Sequence, residues 1–110
     1  MYKSAAVYDF AKRIDDTIKI EETRTAISEL GFSDWWSVSN YSAIYPNGDA
    51  LQPFIEGDMI SRHRNAEWFG EMWDEYMEIV KQTATRGHHL DYNLCQVIRT
   101  PEGKFVIIDF

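Results

Sequence analysis

The chain has a single cysteine, three prolines and no apolar run near the ~20 residues that cross a bilayer. Cys95 alone permits no intramolecular disulfide, which excludes a disulfide-stapled secreted scaffold. At the N-terminus, MYKSAAVYDFAKRIDD places Asp9, Lys12 and Arg13 where a signal sequence needs an unbroken apolar core. A soluble cytoplasmic protein is the expectation. Also missing are a Gly-rich phosphate loop, a Cys-x-x-Cys pair, a nucleophile elbow and a His-Glu-x-x-His helix. Without them there is no ground for a catalytic group, a cofactor or a metal, and none is expected. Positive charge is scarce as well, 11 Lys and Arg against 18 Asp and Glu, for a net charge of -7. Such a chain repels nucleic acid and anionic membranes and suits a protein partner with a basic surface.

What is present is enough for one core. A length of 110 residues fits a single domain over 1–110, and a 45% hydrophobic, 15% aromatic composition disfavours disorder. The first thirty residues lack Gly and Pro, so the phase of their apolar residues must divide them. Ala6, Val7, Phe10, Ala11, Ile14 and Ile18 share one helical face; Ile20, Thr23, Ala26, Ile27 and Leu30 fall on roughly the opposite one. One helix cannot bury both on one core, which predicts helices at 3–16 and 20–30 with a break at 17–19. Gly31 then ends the second, with Phe32 folding back on its last turn.

Aromatic and β-favouring residues from Trp35 to Tyr45 precede Pro46, Asn47, Gly48 and Asp49. Asn-Gly predicts a type I′ hairpin turn and a return strand over 50–55, with Pro53 marking it as a sheet edge. A short turn or helix is expected over 59–64. Residues 66–82 then separate cleanly as a helix, N-capped by Asn65 and ending before Gly87. A second hairpin over 91–110 turns at Thr100, Pro101, Glu102 and Gly103, and its continuous run Phe105, Val106, Ile107, Ile108 reads as a strand inside the sheet. The expected fold is α+β, with element order ααββαββ: a four-stranded antiparallel sheet of two hairpins packed with three main helices.

The 66–82 helix carries the main functional lead. One face is apolar; the other holds Glu67, Glu71, Asp74, Glu75 and Glu78, relieved by Lys81 alone. With Trp68 as an apolar anchor at the rim, these carboxylates would meet a basic protein partner. A merely solvated face is the plainer reading of the same pattern. Arg62, His63 and Arg64 stand just before this helix, where they either build an anion site with its free amides or pair with Glu56, Asp58 or Glu67. His89 with Asp91 is the remaining pair with base chemistry in reach, and Cys95 reads as a small buried hydrophobe.

The element order is similar to that of GAF-type and related small-molecule sensor domains: a helix ending in Leu30, Gly31 and Phe32, an aromatic strand, and a late hairpin carrying Pro101, Glu102 and Gly103. The similarity covers element order alone and implies a ligand sensor. In that case Trp35, Trp36, Tyr41, Trp73 and Tyr76 would enclose an apolar molecule between sheet and helices. The first expectation remains a non-enzymatic inhibitor or neutraliser of a basic partner, of the kind represented by immunity proteins, antitoxins and phage inhibitors.

Overall fold

A computed structural model describes residues 2–3, 10–90 and 96–108. The chain enters on a short strand, β1 (Tyr2–Lys3), and then forms one unbroken helix, α1 (Phe10–Glu29). This corrects the expectation of two helices, and the reason lies in what α1 buries. Its inward seam runs through Arg13, Asp16, Ile20, Thr23 and Ile27 in steps of three and four. The apolar set around Ile20 therefore continues towards the N-terminus as two polar residues. Phe10, Ile14 and Ile18, which the phase argument assigns to a core, face outward at 43, 39 and 49% exposure. Two apolar faces do exist on one helix; only one of them is covered. Of the rest of the expected first helix, Lys3 belongs to β1 instead and 4–9 lie outside the described residues. At the other end the expectation holds: Phe32 N donates to Ile27 O at 3.0 Å and Gly31 N to Ser28 O at 3.1 Å, a Schellman pair.

Six more strands and a second helix follow: β2 (Trp36–Val38), β3 (Ala43–Ile44), β4 (Ala50–Leu51), β5 (Asp58–Met59), α2 (Phe69–Thr85), β6 (Val97–Arg99) and β7 (Phe105–Ile107). A 3-10 turn at Ile60–Arg62 follows β5. The architecture is α+β, and the described residues form two α-helices rather than three and two sheets rather than one. A small antiparallel sheet has order β1-β4-β3, and the main sheet has order β2-β7-β6-β5. The main sheet is mixed: β2 runs parallel to β7, with Trp36 opposite Phe105 and Val38 opposite Ile107. Parallel neighbours need a long crossover, and the stretch between β2 and β7, α2 included, supplies it. The Phe105–Ile107 strand is internal, as its apolar run predicts, and all three of its residues are buried.

The β3–β4 hairpin turns at Asn47 and Gly48, though not as type I′. Only Gly48 has positive φ, at 95°. Gly48 N bonds Tyr45 O at 2.9 Å and Tyr45 N bonds Asp49 O at 2.8 Å, while the Asn47 side chain accepts from Asp49 N at 3.0 Å. One left-handed glycine closing a tight turn beside a bulge satisfies the strand twist without straining Asn47. β4 is paired on both sides and stops at Leu51. Pro53 therefore lies past the strand, correcting its reading as an edge-strand residue. The second hairpin is as expected, with Val97 opposite Ile107 and Thr100 N bonded to Lys104 O at 2.8 Å; residues 91–95 of its first arm lie outside the described residues.

α2 begins three residues later than its sequence period suggests. Trp68 is the N-cap and no side chain caps the end. Asn65 does not serve because the chain before Phe69 is wound as successive turns, with Ala66 N on His63 O at 3.0 Å and Phe69 N on Ala66 O at 3.1 Å. The inward stripe, Met72, Tyr76, Ile79 and Thr83, follows the predicted phase. These residues meet Ile20, Ile27, Trp36, Ile60, Val97 and Ile107 in one core. Full burial of a large apolar side chain contributes about 1.5–3 kcal/mol. Across the helix pair, Arg86 reaches Glu22 at 3.0 Å and also Glu29, which accepts from Gln82 at 2.9 Å. Among the described residues, no helix is long and apolar enough to cross a membrane.

Candidate functional site

The structure sorts the expected ridge carboxylates into two groups, and Glu67 lies in the turns before α2 rather than on the helix as expected. Glu67, Glu71, Asp74 and Glu78 are exposed. Glu78 lies 3.8 Å from Lys81; among the described residues the other three make no ion pair or side-chain hydrogen bond. Glu75 leaves this ridge. Its two oxygens accept from Trp35 Nε1 at 3.0 and 2.9 Å, and one of them accepts from Trp36 Nε1 at 3.2 Å. A carboxylate carried on a helix thus satisfies two indole donors that the core would otherwise leave unpaired.

Of the five aromatic residues of the sensor reading, Trp36, Trp73 and Tyr76 are in ring contact, and Trp35 and Tyr41 pack at the edge of the same core. Trp36 and Tyr76 are buried and stacked on each other, with ring centroids 5.8 Å apart. Trp73 meets Tyr76 edge-on at 5.6 Å and lies parallel to Phe69 at 6.3 Å. Trp35 tilts against Phe32 at 5.6 Å. Tyr41 is bonded to α1 by its hydroxyl, which donates to Asp16 Oδ2 at 2.9 Å and accepts from Arg13 Nη1 at 3.2 Å. Arg13 Nε also donates to Gly48 O at 2.9 Å, so one buried guanidinium ties α1 to the hairpin.

Trp68 contacts more than the rim. Its ring lies 6.0 Å from that of His63, 6.3 Å from Phe69 and 5.6 Å from Phe105, and the Arg99 guanidinium covers it at 4.8 Å. His63 Nε2 lies 3.4 Å from an Asp58 oxygen, whereas Arg62 and Arg64 are exposed. The basic triplet therefore contributes its histidine, and the arginine that joins it comes from β6. Sequence reading missed Arg99; its one signal was the position just before the Thr100–Gly103 turn. His89 is exposed, and its proposed partner Asp91, like Cys95, is outside the described residues. Among the described residues, no group of three His, Cys, Asp or Glu side chains is placed to hold a metal.

Two other hollows lack this combination of groups. One of about 530 Å³ runs open along the β3–β4 hairpin, lined by Tyr45, Pro46, Asn47, Asp49 and Leu51. The other, about 390 Å³, lies beside α1 between His88 and charged residues of both signs. No protein-family model, curated protein or solved structure matches the chain.

Proposed function

We propose that the chain is a small acidic protein-binding module, acting in the cytoplasm as an inhibitor or neutraliser of a partner with a basic surface. The observation that supports this reading is the exposed ridge of Glu67, Glu71, Asp74 and Glu78, met by Lys81 alone among the described residues. Along α2, Glu71, Asp74 and Glu78 advance by about 4.5 and 6 Å per step, a spacing that a row of Lys or Arg side chains can match. Neighbouring carboxylates on a helix repel by a few tenths of a kcal/mol, and a cationic partner relieves that repulsion. Glu75 contributes through the fold instead, by fixing Trp35 and Trp36 behind the ridge.

The test is capture of partners from lysate of the source organism at low and at high salt, followed by a variant carrying Glu71→Lys, Asp74→Lys and Glu78→Lys. The expected result is a basic protein retained at low salt and released at high salt, bound at least about tenfold more weakly by the variant. Stability of the variant should change little, because all three positions are exposed. Unchanged affinity and unchanged salt dependence would sink the proposal.

A further inference from the structure

Where β5 meets β6, a carboxylate and an arginine lie opposite each other and do not pair. Asp58 and Arg99 are in register across the antiparallel strands, a placement that sets Cβ atoms about 4.5–5.5 Å apart on one face. Asp58 turns instead to His63 Nε2 at 3.4 Å. The Arg99 guanidinium lies over the Trp68 ring, 4.8 Å from its centroid, and against Gly103, where an added Cβ would be 3.2 Å from an Nη. Its Nε is sealed from solvent with no hydrogen-bond partner, and among the described residues it forms no ion pair. A planar, permanently charged fork of donors is thus held in one orientation without an acceptor, a costly arrangement for a partly buried group.

These side chains line a hollow of about 290 Å³ that Thr100 and Pro101 complete. Thr100 Oγ1 accepts from Lys104 N at 3.2 Å, which leaves its O–H able to donate inward. At the back, Gly57 brings β5 close to β6: its φ is +147°, and a Cβ there would run into the Arg99 carbonyl oxygen. The volume is that of roughly ten waters, or of one small ring with an acidic substituent.

We propose that this hollow binds a small molecule bearing a carboxylate or phosphate group, with Arg99 as the fork that recognises the oxyanion and Trp68 as the flat wall for the rest of the ligand. Bidentate contact from a guanidinium suits both groups. Asp58, directed to His63, is the one carboxylate on the lining among the described residues, and it confines the ligand's negative charge to the Arg99 side. The site is separate from the acidic ridge and does not depend on the protein-binding proposal.

The experiment titrates benzoate and inorganic phosphate separately into the full chain, following the Trp68 indole and Arg99 Nε N–H resonances. Both should shift saturably with at least one probe, and the tighter probe identifies carboxylate or phosphate as the source. Benzamide, which has the ring of benzoate without its charge, should bind at least about tenfold more weakly than benzoate if the carboxylate is recognised. Arg99→Gln should weaken the tighter probe at least about tenfold, and Arg99→Lys, which keeps the charge without the fork, should also weaken it. If Arg99→Gln does not fold, Arg99→Lys decides. No shift with either probe up to about 10 mM, or affinity unchanged by loss of the fork in a folded variant, overturns the proposal.

Discussion

The Tyr41 hydroxyl is held between Arg13 Nη1 at 3.2 Å and Asp16 Oδ2 at 2.9 Å. Burial pushes its pKa from 10 up to about 12; the bond from Arg13 pulls the other way, and Asp16 adds to the rise. An acid whose folded pKa is raised stabilises the native state fully below its unfolded pKa and ceases to as pH passes the folded one. The Tyr41 contribution is therefore intact below about pH 10 and disappears between about 10 and 12. Tyr41→Phe removes both side-chain bonds and should cost on the order of 1 kcal/mol at neutral pH. As pH rises through that window the two proteins should converge, because the variant has no hydroxyl to ionise. Urea unfolding across the pH series checks this; curves that stay parallel would contradict it.

At the scale of elements, α1 asks which of its faces is structural. Ile18 is 49% exposed and Ile20 fully buried, two positions apart on one helix. Ile18→Lys should change stability by no more than about 0.5 kcal/mol, whereas Ile20→Ala should cost about 2–5 kcal/mol through lost burial and a cavity. Equal costs in thermal or urea unfolding would place Ile18 in the core. The sequence misleads here because the inward seam opens with Arg13 and Asp16, whose burial depends on Tyr41 and Gly48, distant in sequence. α2 was legible for the converse reason: Met72, Tyr76 and Ile79 repeat at helical spacing and all enter the core. Glu75 has the same spacing as the other ridge acids, so only the tertiary position of Trp35 and Trp36 reveals its inward role. The pocket was half visible, as His63 before the helix. Its other half came from Arg99, brought to Trp68 by the pairing of β5 with β6, and no local pattern encodes that register.

At the scale of the molecule, the two sheets differ in how they are held. β7 is paired on both edges, packs its three residues into the core, and is tied at its ends by Phe105 N to Trp35 O at 2.7 Å and Ser39 N to Ile107 O at 2.9 Å. The β1-β4-β3 sheet consists of two-residue strands, too short to be stable alone. It is joined to the rest by particular polar bonds, Arg13 Nε to Gly48 O at 2.9 Å and Gln52 Nε2 to Ile108 O at 2.8 Å. Two-residue strands held to the rest by a few such bonds should open while the main sheet stays folded. Native-state hydrogen exchange tests this directly. The amides of Phe105 and Ser39 should exchange only through global unfolding, with the full urea dependence of that transition. Those of Ser42 and Tyr45, bonded to Leu51 O and Asp49 O at 2.8 Å each, should exchange at least roughly tenfold faster with a much smaller urea dependence. If all four amides merged on one urea slope, the small sheet would belong to the same cooperative unit as β7, and the polar ties would be as strong in effect as the apolar core.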